Sequence, residues 1–308
     1  MRVLALVPGG IERQLEFLPL LHHIKQGLKA TAMAVMVDPQ AKPAYGLAPV
    51  VTEVIPYSFQ GANSPADWAN LLGILRDREY DVVITLAESW SLGLLLWLSG
   101  IPTRIGYPGG GNDRFLTTTV ARQPDQPYQG LLDALNLSGP LLSPNLSLTQ
   151  ADLSTAEGLR QEAGLRQGYV AVYPGPTGSG DTYPTDSWVA ILKDFQQRQP
   201  DLSLVLLQTP EAIDQVAAIQ QSLPNLTTIA PDGLGQLAAL IAGANLLVAV
   251  NSYPLWLAQA LQVYAVGLNS NTHPSALPSS DRLIMLTASP NQLAAISPDM
   301  VVNKIWSE

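Results

Sequence analysis

The chain has 308 residues and no cysteine, which excludes disulfide bonds, thiol catalysis and cysteine-ligated metals. Charged residues make up only 13% of the chain, and no run of Lys and Arg occurs. Nucleic-acid binding depends on clustered basic residues, so the formal net charge of −9 argues against a nucleic-acid partner. The chain contains three histidines, and none has a carboxylate or further ligand spaced for a metal.

Long apolar runs are also missing. The longest apolar-rich stretch, residues 92–98, is far shorter than the roughly 18 residues that a membrane span requires. The apolar run at the N-terminus is too short for a signal peptide and leads directly into Pro8-Gly9-Gly10. We therefore expect a cytoplasmic protein without a transmembrane segment.

Hydrophobic residues make up 47% of the chain, which is ample for buried sheets. Short apolar runs alternate with helical apolar patterns, and this βαβα alternation predicts parallel sheets with helices on both faces. The predicted strands are residues 3–7, 32–37, 50–56, 81–86, 101–107, 169–173, 202–208, 226–229, 245–250, 263–268 and 283–286. The predicted helices are residues 12–27, 64–78, 90–98, 152–163, 185–197, 210–223 and 235–242, one that starts at Pro254, and a last turn or two within 290–296. Pro19 predicts a kink or a restart in the first helix.

A Pro- and Ser-rich stretch at residues 139–145 separates two similar halves. It places the domain boundary between residues 138 and 165, which gives domains of about 1–150 and 151–308. The predicted fold is α/β, with two Rossmann-like domains whose parallel sheets face each other across a cleft.

The stretch from residue 243 to 268 predicts a strand–turn–helix–strand unit. Asn251 and Ser252 can accept hydrogen bonds from the free amides of the helix, and Pro254 suits its first turn. Since ligands bind at the carboxyl ends of parallel strands, residues 251–256 are the first place to expect a phosphorylated ligand. The glycine loops at Gly9-Gly10 and at residues 175–180 could also cradle phosphate, or could be plain strand-to-helix turns.

Several motifs in this order resemble glycosyltransferase family 9, the heptosyltransferase-like group with the two-Rossmann GT-B architecture. They are V-L-A-L-V-P-G-G-I at residue 3, Y-P-G-P-T at residue 173, Y-P-T-D-S-W at residue 183 and L-V-L-L-Q-T-P-E at residue 204. The resemblance covers nearly the whole chain. It implies an acceptor-side first domain and a nucleotide-sugar-side second domain, without a metal, since Asp-x-Asp is absent.

The resemblance also implies a general base in the first domain. With Pro19 fixing the register, the Gly-Asp pair of the family falls on Glu12 and Arg13, and the base position is Arg13. A guanidinium stays protonated at any working pH and cannot accept a proton. Glu12 is the candidate replacement, although a helical residue one position away points about 100° elsewhere.

On the donor side, Gly175 and Thr177 are candidate contacts in the glycine loop, and the resemblance implies a diphosphate-neutralising lysine where this chain has Asp181. An anion there would repel the diphosphate. Glu211 matches an acidic position implied to touch the nucleotide ribose, or it is an ordinary exposed glutamate at a helix start.

The family pattern Asp-Ser-Gly/Ala-Pro-x-His falls on Asn251, Ser252, Tyr253, Pro254 and Trp256. Only the serine and the proline are retained, and Tyr253 adds bulk where a sugar phosphate would lie.

Two functions remain open at this stage. One is an active inverting glycosyltransferase that moves a sugar from a nucleotide-sugar donor to a cell-envelope glycan or lipid acceptor. The other is a catalytically impaired or inactive descendant, a pseudoenzyme that retains at most nucleotide or nucleotide-sugar binding, or that binds a protein partner. Because the base, the phosphate lysine and the donor Asp and His are altered together, we favour the second.

Overall fold

A computed structural model describes residues 1–61, 63–123, 128–139, 141, 146–165, 168–176, 182–270, 277 and 280–307. The chain divides into two compact units, residues 1–145 (unit 1) and 146–308 (unit 2). Each unit is an α/β sandwich around one parallel sheet, as the alternation of apolar runs and helical patterns predicts.

Unit 1 begins with a buried strand and a long helix, and α-helices separate its first five strands except between the second and the third, which a 3₁₀ helix connects. They are β1 (Arg2–Val7), α1 (Ile11–Gly27), β2 (Ala32–Val37), β3 (Glu53–Pro56), α2 (Pro65–Asp77), β4 (Val82–Thr85), α3 (Trp90–Leu98), β5 (Thr103–Gly106), β6 (Thr118–Thr119) and α4 (Gln129–Ala134). Short 3₁₀ helices cover Pro39–Leu47 and Asn112–Arg114.

Unit 2 repeats the pattern after one leading helix. Its elements are α5 (Gln150–Glu162), β7 (Tyr169–Tyr173), α6 (Thr185–Arg198), β8 (Ser203–Leu207), α7 (Ile213–Ser222), β9 (Thr227–Ile229), α8 (Leu234–Ala242), β10 (Leu246–Val250), α9 (Tyr253–Ala260), β11 (Ala265–Asn269), β12 (Leu283–Thr287) and α10 (Pro298–Trp306). Short 3₁₀ helices cover Pro210–Ala212 and Leu293–Ala295.

The two sheets have the same topology. Their strand orders are β3-β2-β1-β4-β5-β6 and β12-β11-β10-β7-β8-β9, and all the pairings between these strands are parallel. The central strands are apolar throughout because helices cover both faces of a parallel sheet, and Val3 to Val7 are fully buried. In each unit the chain order reverses between two central strands, β1 and β4 in unit 1 and β7 and β10 in unit 2. These reversals are the topological switch points, where α/β sheets bind ligands.

Most predicted elements are found within a few residues, with instructive exceptions. The third strand is predicted from Val50 but begins at Glu53, since the chain is still in turns after the 3₁₀ helix that ends at Leu47. Helix α1 continues through Pro19 instead of restarting. The predicted serine cap of α2 is confirmed, since Ser64 and Asp67 form a reciprocal capping box.

Tyr183 generates a prediction about the pH dependence of stability. Its buried hydroxyl donates to the backbone oxygen of Ile296 at 2.9 Å, and burial raises its pKa to about 12. Since this pKa lies above the unfolded value of about 10, the stabilisation is complete below about pH 10 and is lost as the pH rises towards 12. Tyr183→Phe should therefore be about 1 kcal/mol less stable than wild type at pH 8.

Near pH 11.5 the wild type should lose about 2 kcal/mol relative to the variant, so that the order of stability reverses. Urea denaturation at the two pH values measures both differences, and Tyr264→Phe, at a residue 57% exposed, is the control. A difference between wild type and Tyr183→Phe that does not change with pH would contradict the prediction.

Candidate functional site

Polar groups in the loop after β1 form hydrogen bonds with other residues of unit 1. Gly9 adopts φ +115°, and its N–H donates to Oδ2 of Asp38 at 3.0 Å. Gln14 is fully buried, and its side-chain amide donates to the carbonyl oxygens of Val7 and Gly9 at 3.1 and 3.0 Å. Gly10 is the N-cap residue of α1, without a side chain to cap it. The Gly9 amide proposed for phosphate is thus already bound to a carboxylate.

Arg13, at the position where the sequence predicts the general base, lies in the first turn of α1 and is ion-paired. Arg13 contacts Glu16 with Nη1 to Oε2 at 2.8 Å, and its guanidinium lies 5.7 Å from the ring centroid of Tyr128. Burial alone would lower the pKa of Arg13, but Tyr128 and Glu16 outweigh it, and the pKa is raised. This side chain is therefore a permanent cation. Glu12, the alternative base, is exposed in the same turn.

In unit 2 the loop after β7 passes close to the end of β10. Gly175 adopts φ +94°, and a Cβ atom there would lie 2.2 Å from Cγ2 of Val250, so only glycine fits. The loop after β7 therefore packs tightly against the side chain of Val250 at the switch point. Two other predicted donor contacts, Thr177 and Asp181, lie outside the described residues.

Helix α9 begins at Tyr253, close to where the sequence predicts, but the predicted side-chain caps are wrong. The hydroxyl of Ser252 donates back to the carbonyl oxygen of Val250 at 3.1 Å. The side-chain amide of Asn251 donates to Oδ1 of Asn269 at 3.2 Å. Ser252 thus bonds back to the end of its own strand, β10, and Asn251 bonds to the end of the neighbouring strand β11, so that neither side chain caps the helix. Oδ1 of Asn251 is buried and has no hydrogen-bond partner among the residues that the structure describes.

Tyr253 extends from the start of α9 to the end of β8. Its hydroxyl donates to Oε1 of Glu211 at 2.5 Å, and Tyr173 donates to the same oxygen at 3.3 Å. The rings of Tyr173 and Tyr253 are 6.1 Å apart. One carboxylate oxygen therefore receives two phenols, one from the end of β7 and one from the start of α9, at the switch point of unit 2.

Burial fixes the protonation of this cluster. It raises the pKa of Tyr253, with further increases from Tyr173 and Glu211, and it also raises the pKa of Tyr173. Both phenols therefore remain protonated donors at neutral pH, and the hydrogen bond to a carboxylate is charge-assisted.

The remaining predicted donor residues of α9 face the core. Pro254 is buried, and Trp256 is only 6% exposed. Their place in the fold is that of packing residues beneath the turn at Asn251 to Tyr253.

Unit 1 contains a cavity that no sequence motif indicates. Its volume is about 830 Å³, and it lies at the carboxyl ends of β1, β4 and β5. Glu88 and Arg122 line it and form an ion pair at 2.5 Å, and the Arg122 guanidinium lies 4.6 Å from the Tyr107 ring centroid. The sequence could have indicated this cavity only through the position of Glu88, which comes three residues after β4 and lies beside the switch point of this sheet.

Within the described residues, no group of three or more His, Cys, Asp or Glu side chains is arranged to hold a metal ion. The same residues contain no helix of the length and hydropathy needed to cross a bilayer.

Two Rossmann-type sheets, each with polar loops at its own topological switch point, define a double-Rossmann α/β protein. The model of glycosyltransferase family 9 (heptosyltransferase) matches residues 68–297. This match spans well over half of the chain, and the protein belongs to glycosyltransferase family 9. No curated protein sequence matches it significantly.

Solved structures of the family share the fold at low sequence identity. The family 9 glycosyltransferase of Veillonella parvula DSM 2008 has a TM-score of 0.82 and 16% identity, covering 98% of this chain and 95% of that one. The ADP-heptose LPS heptosyltransferase II of E. coli has a TM-score of 0.81 and 20% identity, covering 100% and 98%. The E. coli heptosyltransferase WaaC with ADP-2-deoxy-2-fluoro heptose has a TM-score of 0.75 and 17% identity, covering 100% and 99%.

The contact between Tyr253 and Glu211 should be measurable in stability. In a double-mutant cycle of Tyr253→Phe and Glu211→Gln, we expect a coupling of about 1 kcal/mol, because the bond is charge-assisted but partly exposed. Urea denaturation of the four proteins gives the value. Tyr264→Phe, which removes an exposed phenol, should change stability by less than about 0.5 kcal/mol. Additive effects of the two substitutions would show that the phenol and the carboxylate do not interact.

Proposed function

We propose that this protein is a family 9 glycosyltransferase with impaired or absent transferase activity, which retains nucleotide or nucleotide-sugar binding at the switch point of unit 2. Its place would be the cytoplasm, as the composition predicts. The observation that carries the proposal is the ion pair of Arg13 and Glu16 at the base position of the family.

The chemistry at this position is decisive because inverting transfer needs a base for the acceptor hydroxyl. Positioned acid–base groups contribute roughly a hundred- to ten-thousand-fold to rate. A guanidinium whose pKa is raised contributes nothing as a base, and it also binds the nearest carboxylate, Glu16, at 2.8 Å. An arginine at this position therefore removes the general base of the family and also holds the nearby carboxylate of Glu16 in an ion pair.

Changes on the donor side also favour an impaired transferase. A nucleotide ribose offers hydroxyl groups, and an acidic side chain at the end of a strand is the usual acceptor for them in Rossmann folds. In this chain Glu211 fits that role, but the phenol of Tyr253 already donates to it. A nucleotide must displace this phenol, so we expect weakened rather than abolished binding. Oδ1 of Asn251 is buried without a hydrogen-bond partner in the described part of the site, so a ligand donor would have to move this turn to reach it.

The second candidate is an active inverting transferase with a nucleotide-sugar donor and a cell-envelope glycan or lipid acceptor. The observation in its favour is Glu12, a carboxylate exposed in the first turn of α1, one residue before Arg13. It would have to replace the base of the family from a different direction on the helix.

Calorimetry with ADP, UDP, GDP and ADP-heptose tests nucleotide binding. We expect weak binding by the wild type, and about tenfold tighter binding by Tyr253→Ala, since a displaced hydrogen bond is worth about 1.4 kcal/mol. Glu211→Gln should weaken binding about tenfold, whereas the control Glu162→Gln, at an exposed position of α5, should not. Absence of binding in both the wild type and Tyr253→Ala would refute the nucleotide site.

Activity separates the two candidates. The wild type should neither hydrolyse nor transfer from ADP-heptose above background, and Glu12→Gln should make no difference. Arg13→Asp combined with Asp181→Lys restores the charges of the family and should yield detectable hydrolysis, measured as released ADP. Turnover by the wild type that Glu12→Gln removes would establish the active transferase instead.

A further inference from the structure

Unit 2 contains a cavity at the amino edge of its sheet, the edge where the parallel strands start. Its volume is about 460 Å³, within the range of about 300–1,000 Å³ that is typical of small-molecule pockets. Leu246 begins β10 and Ala265 begins β11, and both line the cavity. Asp281 and Arg282, the two residues before β12, also line it, so the cavity lies where three adjacent strands start.

This position separates the cavity from the nucleotide site proposed for the same unit. Ligands of α/β sheets ordinarily bind at the carboxyl ends of the strands, where Tyr253 and Glu211 meet. Strand β10 has five residues and spans about 13 Å between the two edges. An inference about the amino edge is therefore independent of whether a nucleotide binds at the carboxyl edge.

The last helix of the chain forms one wall of the cavity through Ile305. The neighbouring residue, Trp306, anchors this helix to α6. Its Nε1 donates to Oδ2 of Asp194 at 2.9 Å, and its ring centroid lies 5.1 Å from that of Phe195. The wall is thus held against the strand starts before any ligand arrives, which reduces the entropy lost on binding.

The floor of the cavity is apolar. Its backbone level is closed by two fully buried residues of β11, Ala265 and Val266. Half-buried aliphatic side chains complete it, namely Leu246, Ile284 and Ile305. An aliphatic or aromatic group of a ligand would be removed from water on this floor, which stabilises the complex in proportion to the apolar area that is buried.

Two opposite charges lie at the rim and are not paired with each other. Asp281 and Arg282 are both exposed, and within the described residues Asp281 forms no ion pair. The guanidinium of Arg282 lies 5.3 Å from the ring centroid of Tyr264 and donates through Nη1 to the carbonyl oxygen of Gln262. In the described part of the chain its Nε and Nη2 atoms make no further hydrogen bond, and this edge of a guanidinium can bind a carboxylate through two parallel hydrogen bonds.

A ligand that suits this rim carries both charges. A carboxylate alone would be attracted by Arg282 and repelled by Asp281, and an amine alone would meet the reverse. In a zwitterion the carboxylate and the ammonium can each meet the opposite charge. An α-amino acid carries both groups on one carbon atom, which matches two charged residues that are consecutive in the chain.

We propose that the cavity at the amino edge of unit 2 binds a free α-amino acid with an apolar side chain. Arg282 binds the carboxylate and Asp281 binds the ammonium, while the apolar side chain lies on the floor formed by β11, β12 and Ile305. The ring of Tyr264, against which Arg282 packs, holds the guanidinium in place.

The test is an NMR titration of the full chain at pH 7 with L-leucine, L-isoleucine, L-methionine and L-phenylalanine. Three comparison ligands separate the contributions: 4-methylpentanoate is leucine without the ammonium, 3-methylbutylamine is leucine without the carboxylate, and glycine has no side chain. We expect saturable shifts with at least one apolar amino acid, centred on Val266, Arg282 and Ile305, and at least tenfold weaker binding of all three comparison ligands. No saturable shift with any of the four amino acids, or a comparison ligand that binds as tightly, would overturn the proposal.

Two charge-altering variants test the recognition pair. Asp281→Asn should lower the affinity for the amino acid about tenfold and raise the affinity for 4-methylpentanoate, because the repulsion of the carboxylate is removed. Arg282→Gln should also lower the affinity for the amino acid about tenfold, but it should raise the affinity for 3-methylbutylamine. Asp201→Asn is the matched control and should change neither, since Asp201 is an exposed carboxylate two residues before β8, outside the lining of the cavity. Unchanged ligand preference in both charge variants would overturn the assignment of the pair even where an amino acid binds.

A pair of isoleucines tests the apolar wall. Ile305→Ala removes part of the wall that α10 contributes, so it should weaken binding of the amino acid about fivefold. Ile213→Ala, at a side chain 47% exposed in α7, should leave the affinity unchanged. Circular dichroism checks that both variants fold, and the exposed charge variants decide the question if Ile305→Ala does not. Equal affinity in the two folded variants would overturn the placement of the side chain against α10.

Discussion

Burial of the central strands on both faces is the constraint on which the rest of this structure depends. Strands such as β1 and β7 carry apolar residues at nearly every position, which leaves no room for chemistry within the sheets. Polar and ionisable groups are therefore confined to the loops at the carboxyl edges, where helix starts and strand ends meet. The cavity of unit 1 and the phenol–carboxylate cluster of unit 2 both lie at the switch points that this constraint creates.

At these edges the ionisable groups are satisfied by partners within the same unit. Arg13 pairs with Glu16, Arg122 pairs with Glu88, and Tyr253 donates to Glu211. Catalytic sites commonly hold groups in unsatisfied or strained arrangements that a substrate relieves. Internal pairing lowers the free energy of the empty protein and reduces what a charged ligand can gain by binding. The proposed impairment of transfer follows from the same pairing.

The sequence predicts the architecture well because apolar runs and helical patterns are local signals. It also assigns Arg13 to the base position of the family, and this assignment stays a prediction. It cannot predict contacts that depend on which strands are neighbours. Tyr253 and Glu211 are 42 residues apart, and they meet only because β10, β7 and β8 are adjacent in the sheet. The predicted cap from Asn251 was wrong for a related reason, since its side-chain amide bonds to Asn269 at the end of the neighbouring strand β11, whereas Ser252 bonds locally to Val250.

Tyr253 also explains how Glu211 can persist without a ligand. A partly buried carboxylate costs free energy unless it is hydrogen-bonded, and in an active donor site the nucleotide and nearby cations supply that compensation. Here two phenols supply it from within unit 2, and burial keeps Tyr253 and Tyr173 protonated. The free state of the crevice is therefore stable by itself. A glutamate that matches a ligand contact of the family in sequence can thus be held in place by hydrogen bonds within the fold. Its presence alone is therefore not evidence that the donor binds.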